Sequence, residues 1–171
     1  MNYGIAVFPS AEIQEFANHY RRRYDPHFAL IEPHLTVREK EEWNDQQVHT
    51  AIQELERAAE ALEPLELQFN RFSTFYPVNN VIYMALADPA PLVRLHQKLC
   101  AGPLAEASKL YAYTPHLTIA QSMNDDELHD VLASLKNKPL SFQCTIDRIV
   151  LLKQEEDGRW SRHREFLLQK A

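Results

Sequence analysis

Glycine is scarce in this chain, 3 in 171 residues, and cysteine scarcer, with Cys100 and Cys144 far apart in the sequence. So few glycines cannot build the loops that cradle a nucleoside triphosphate, and there is no Gly-x-Ser-x-Gly elbow, so P-loop and serine-hydrolase readings are set aside. The cysteines stand in no paired or metal-type spacing. They read as small buried hydrophobes in a reducing, cytoplasmic compartment rather than as a disulfide framework. Cationic excess is missing too: 18 Lys and Arg against 24 Asp and Glu give a net charge of −6. Bulk attraction to nucleic acid or an anionic membrane is therefore disfavoured, and a phosphate-bearing ligand has to be held by a local site. The longest charge-free stretch, Phe72 to Ala87, contains Ser73, Thr74, Pro77, Asn79 and Asn80. It argues against a transmembrane helix and suits a hairpin turning at Pro-Val-Asn-Asn. The opening Met1 to Pro9 has no basic leader and reads as a first strand, not a signal peptide.

What is present is ordinary globular material, 45% hydrophobic and 25% charged. A chain of this length fits one domain over residues 1–171 and buries roughly 70% of its unfolded surface. Ile13, Phe16, Ala17 and Tyr20 recur at helical spacing after Ser10, and Val48, Ile52, Leu55, Ala59 and Leu62 do so before Pro64. Leu92, Leu95 and Leu99 mark a third helix; Leu128, Val131, Leu132 and Leu135 mark a fourth. Strands are expected at His34–Arg38, Leu65–Phe75, Val81–Ala87, Thr114–Ile119, Phe142–Leu152 and Arg164–Gln169, the last two joined through Asp157-Gly158. Strands and single helices alternate without βαβ runs, which points to an α+β fold with mostly antiparallel sheets.

One short element occurs twice. Pro33-His34-Leu35-Thr36-Val37 returns 82 residues later as Pro115-His116-Leu117-Thr118-Ile119. On a strand, residues two apart point the same way at about 7 Å, so each copy offers an imidazole and a hydroxyl on one face and apolar side chains on the other. Two such strands at one cleft supply the minimum for metal-free phosphodiester chemistry. One histidine accepts a proton while the other donates one, each transfer contributing roughly 10² to 10⁴ in rate, and the threonine hydroxyls donate to phosphoryl oxygens.

These residues carry a resemblance. The duplicated His-x-Thr-x motif is similar to that of the two-histidine phosphoesterase superfamily, which includes the 2′-5′ RNA ligase-like proteins and cyclic nucleotide phosphodiesterases. The Tyr-Gly-Ile-Ala-Val-Phe-Pro opening and the Arg-Tyr-Asp-Pro segment resemble those of the bacterial YjcG-type phosphoesterases, and the likeness spans the whole chain. It implies a bilobal fold with pseudo-twofold symmetry, two mostly antiparallel sheets flanked by helices around a central cleft, and no metal or other cofactor. It implies His34 as proton donor and His116 as proton acceptor, with Thr36 and Thr118 contacting phosphate. The expected substrate is a small cyclic or 2′-5′ phosphodiester, or an RNA terminus. A nucleotide-binding module without turnover and an RNA end-joining 2′-5′ ligase are the alternatives. A monomer or weak dimer is expected.

The pattern departs from that of RNA-active relatives in having basic residues beside one motif only. Arg38, on the expected face of His34, is the candidate phosphate cation, with Lys109 next. Tyr111 and Tyr113 alternate before the second motif and could stack on a base or pack as half-exposed strand aromatics; Tyr113 is counted among the candidate substrate contacts. Arg21-Arg22-Arg23 reads as a solvated helix C-terminus favoured by the macrodipole. His19, His27, His49, His96, His129 and His163 show no metal-ligand spacing, although His27 sits in the loop entering the first motif and could line the cleft.

Overall fold

A computed structural model describes residues 1–107 and 111–170. The first half runs β1 (Asn2–Val7), α1 (Ala11–Tyr24), β2 (Leu35–Glu42), α2 (Asp45–Glu60) and β3 (Leu65–Thr74). The second half repeats the strand and helix order with β4 (Ile82–Leu86), α3 (Ala90–Leu99), β5 (Leu117–Ala120), α4 (Asp125–Leu135) and β6 (Phe142–Ile146). It closes with β7 (Arg148–Gln154) and β8 (Trp160–Leu167). Two antiparallel four-stranded sheets result, ordered β2-β1-β7-β8 and β5-β4-β3-β6, and the fold is α+β. Each motif strand is an edge strand beside the strand that opens its half, which is the pseudo-symmetry that the family resemblance implies.

The helices form where apolar residues align. In α2, Val48, Ala51, Leu55 and Ala59 are buried on one stripe. Its start is fixed by a reciprocal capping box in which the Asn44 side chain accepts from Gln47 N and the Gln47 side chain accepts from Asn44 N. In α1 the buried stripe is Ile13, Ala17 and, unexpectedly, Arg21. Helix α1 packs on β5 of the other sheet, α3 packs on β2 and β3, and α2 packs on β7 and β8. One apolar cluster accordingly takes Ile5 and Leu35 from the first sheet and Met84 and Leu117 from the second. Burial of this kind contributes roughly 25 cal/mol per Å² of apolar surface, so the halves are held by a shared core.

The stretch expected as one strand from Phe142 to Leu152 is two. Cys144 and Ile146 alternate with exposed Gln143 and Thr145 in β6, whereas Ile149 to Leu152 in β7 are all buried. At Asp147 the chain leaves one sheet for the other. The reason lies in coverage: β6 is an edge strand with one buried face, while β7 is central and packs Ile149 and Leu151 into the main core and Val150 and Leu152 into a second cluster. The last strand likewise begins at Trp160, because the turn at Gly158, with φ of +88°, folds Trp160 back opposite Gln154.

Candidate active site

His34 and His116 each precede the first residue of a motif strand, β2 and β5. Along both strands burial alternates as the repeat predicted: Leu35, Val37, Leu117 and Ile119 are fully buried, and Thr36 and Thr118 are half-exposed. All four polar motif side chains line one cavity of about 450 Å³ between the sheets.

The two histidines are held alike. His34 Nδ1 lies 2.9 Å from the carbonyl of Glu32, and His116 Nδ1 lies 2.9 Å from the carbonyl of Thr114, each two residues back in the chain. A carbonyl only accepts, so Nδ1 carries the hydrogen in both rings and Nε2 is the free nitrogen. Among the described residues no polar side-chain atom is both buried and unpartnered, so neither Nε2 is sealed from solvent. Among the described residues the hydroxyls of Thr36 and Thr118 have no protein partner either. Phe75 and Tyr83 pack edge-on to His116 at centroid distances of 4.9 and 5.4 Å, and Phe8 tilts against His34 at 6.2 Å, which fixes the rings against rotation.

Burial disfavours the charged form of both rings. His34 is pushed down to about 4, chiefly by lost hydration and further by the Arg21 guanidinium and by His116. His116 is lowered for the same first reason, but the Glu39 carboxylate works the other way on it.

With this geometry in hand, the pattern of the 2′-5′ RNA ligase superfamily matches residues 9–158. The chain belongs to that family. A protein of Bacillus licheniformis is 43% identical over 168 residues, covering 98% of this chain and 99% of its own. One of a Geobacillus species is 44% identical over 168 residues, covering 98% and 96%. Both carry the name "Putative phosphoesterase". E. coli LigT, crystallised with 3′-AMP, superposes with a TM-score of 0.74 at 16% identity, covering 99% of this chain and 98% of that one. TT0787 of Thermus thermophilus gives 0.69 at 16% identity over the same shares. At such identity these two structures establish the shared fold.

Within this 2′-5′ RNA ligase-like cleft, the expected phosphate cation is turned away. The β1–β2 register slips between Ile5↔Arg38 and Ala6↔Thr36, so a bulge at Val37 puts Arg38 out of step with His34 and Thr36. Arg38 borders the cavity but is buried, 4% exposed. Its guanidinium donates to the carbonyls of Leu104 at 2.8 Å and Ala105 at 3.2 Å and to Glu41 at 2.7 Å, and lies over the Trp43 ring. It holds the 104–105 segment against β2. Lys109 lies outside the described residues.

Tyr113 is also a structural link: its hydroxyl donates to the Thr36 carbonyl at 2.7 Å, and its ring stacks on His96 at 3.9 Å. It lines an adjoining cavity rather than the one holding both histidines. Tyr111 is 62% exposed at that second cavity.

Sequence reasoning missed the buried pair Arg21–Asp25, which floors the cleft. Asp25 accepts from Arg21 Nε at 3.2 Å, from the His27 backbone N–H at 2.8 Å and from Gln121 Nε2 at 2.8 Å. Arg21 also donates to Asn18 and to the Ile31 carbonyl. The solvated reading therefore fails for Arg21 and holds for its exposed neighbours Arg22 and Arg23. The available signal was position: Arg21 continues the Ile13–Ala17 stripe at i+4, with Asp25 four residues further on. His27 lines the cleft as its loop position suggested, together with Lys40, which forms no ion pair among the described residues.

His96, Cys100 and Glu106 form one further group, with ligand atoms within 4.8 Å of one another, brought together by α3 and the 102–106 turn. This set could hold a metal ion through three donors, although His96 Nδ1 lies 2.7 Å from the Val37 carbonyl. Cys144 is buried in the core as expected, whereas Cys100 is half-buried in this group.

Proposed function

We propose that the protein hydrolyses a cyclic or 2′-5′ phosphodiester of a nucleotide or RNA terminus by acid and base catalysis through its two histidines. The observation that supports this most is the matched tethering of both rings by Nδ1, which leaves two Nε2 atoms and two threonine hydroxyls free in one cavity. Membership of the 2′-5′ RNA ligase superfamily and relatives named as phosphoesterases agree with it.

In this reading the diester sits between Thr36 and Thr118, whose hydroxyls donate to its non-bridging oxygens, with the Lys40 ammonium as the mobile counter-charge. His116 Nε2 takes a proton from water as the water oxygen bonds to phosphorus. The bond to the ribose oxygen breaks, and His34 Nε2–H gives that oxygen its proton. The entering anion offsets the field of Arg21 and favours protonation of His34, so substrate itself brings the donor into its working state. The pair ends with the proton shifted from His34 to His116, and exchange with solvent resets it.

The test is turnover in EDTA of 2′,3′-cyclic and 2′-5′-linked nucleotides and of ADP-ribose cyclic phosphate by wild type, His34→Ala and His116→Ala. We expect each variant to lose roughly 10² to 10⁴ in kcat/KM. Turnover unaffected by His116→Ala removes the mechanism, and tight binding of a cyclic nucleotide recovered intact favours a module without catalysis.

A further inference from the structure

A second cavity of about 720 Å³ opens beside the catalytic cleft and shares Thr36 and His116 with it. A ligand whose phosphate lies between the histidines therefore extends into this space. Its rim is apolar: Val78 and Tyr111 are 61% and 62% exposed, and Tyr111 has no ring partner among the described residues. A large aromatic left in water at a cavity mouth is a stacking surface without an occupant in the fold itself.

Among the described residues lining this cavity, the carboxylates of Glu39 and Glu106 are present and no lysine or arginine is. Glu106 accepts the backbone N–H of Glu39 at 3.0 Å. The Glu39 carboxylate is exposed and makes no ion pair or hydrogen bond among the described residues. A carboxylate accepts and cannot donate, so it repels a second phosphate and attracts an N–H group.

We propose that this cavity is a base subsite that selects nucleobases with an exocyclic amino group, namely cytosine, adenine or guanine, over uracil. It rests on the phosphodiester reading and narrows it: the substrate is a mononucleotide-sized cyclic diester rather than the end of a long RNA, whose next phosphate would meet the Glu39 carboxylate. The base stacks on Tyr111, and its amino group donates to the Glu39 carboxylate. Uracil places a carbonyl where cytosine carries the amino group, and two acceptors then face each other.

The cytidine and uridine pair is the cleanest test, because the two rings share one shape. We expect kcat/KM in EDTA to favour cytidine over uridine 2′,3′-cyclic phosphate by about tenfold to a hundredfold, as a hydrogen bond to a charged acceptor gives. Glu39→Gln should bring the ratio close to one; because it is a ratio, any effect of this change on His116 cancels. Tyr111→Ala should weaken both nucleotides by about tenfold and leave their ratio standing. Calorimetric binding of 3′-CMP against 3′-UMP repeats the comparison without turnover. If no histidine-dependent hydrolysis is found but this preference appears and depends on Glu39, the base subsite stands and the hydrolase reading falls. Equal cytidine and uridine values, a preference that survives Glu39→Gln, or no binding of either nucleotide overturns the proposal.

Discussion

The histidines differ in surroundings more than in tethering, and that difference sets a test of their roles. Arg21 and burial hold His34 neutral, while Glu39 opposes the effect of burial on His116. An aryl phosphodiester with a p-nitrophenolate leaving group needs no proton on departure. If His34 is the donor, His34→Ala should lose at least tenfold less activity on that ester than on a ribose cyclic diester, while His116→Ala loses equally on both; the opposite pattern exchanges the roles. A second residue effect concerns stability. Arg21 and Asp25 are both nearly sealed, at 2% and 6% exposed. Arg21→Met leaves Asp25 charged and buried, which should cost about 3–5 kcal/mol in denaturant unfolding. A loss below about 1 kcal/mol would mean that Gln121 and the His27 N–H suffice for Asp25. The placement of the His-x-Thr residues was legible because the face a side chain takes is local to a strand. Arg38 was not legible in this way, because the bulge at Val37 shifts its register and its guanidinium is taken up by the Leu104 and Ala105 carbonyls and by Glu41, all outside its own strand face.

At the scale of elements, helix signals transferred well, since stripe, cap and stop lie within one segment. Helix α2 shows this with its Asn44–Gln47 box and the Val48 to Ala59 stripe. Asn44→Ala should lower stability by about 1 kcal/mol while leaving turnover at its wild-type value, because α2 packs on β7 and β8 and lines neither cavity. Thermal unfolding and initial rates check the two halves of that statement, and a loss of turnover would show that α2 reaches the cleft. Strand boundaries transferred less well. The change of sheet at Asp147 follows from which face of each strand is covered, and no segment records its own neighbours. The rims of the motif strands were likewise hidden: Tyr113 and His96 close on the carbonyls of Thr36 and Val37 from more than fifty residues away.

For the whole molecule, burial of the histidines links stability to pH. Unfolded histidine titrates near 6.5, whereas folded His34 titrates at about 4. Above pH 6.5 both states are neutral and there is no penalty. Between about 6.5 and 4 the unfolded chain takes up a proton that the folded chain refuses, so stability falls as pH falls, by about 1.4 kcal/mol per unit for each such group. The unfolding midpoint should therefore drop from pH 7.5 to pH 5, and His34→Gln should flatten that drop; a slope unchanged by the substitution would assign it elsewhere. The sequence by itself determined the local frame: which titratable and hydroxyl side chains the motif repeats, which face of each motif strand carries them, where the helices start and stop, and the net negative charge of the chain. These are effects of residue type and of periods of two and 3.6. Tertiary structure alone decided what meets across the cleft: the two motifs in one cavity, the Arg21–Asp25 floor, the withdrawal of Arg38, and the acidic, aromatic pocket beside His116. Each of those joins groups distant in sequence or depends on a register shift, and such contacts are set by the packing of two sheets on one core.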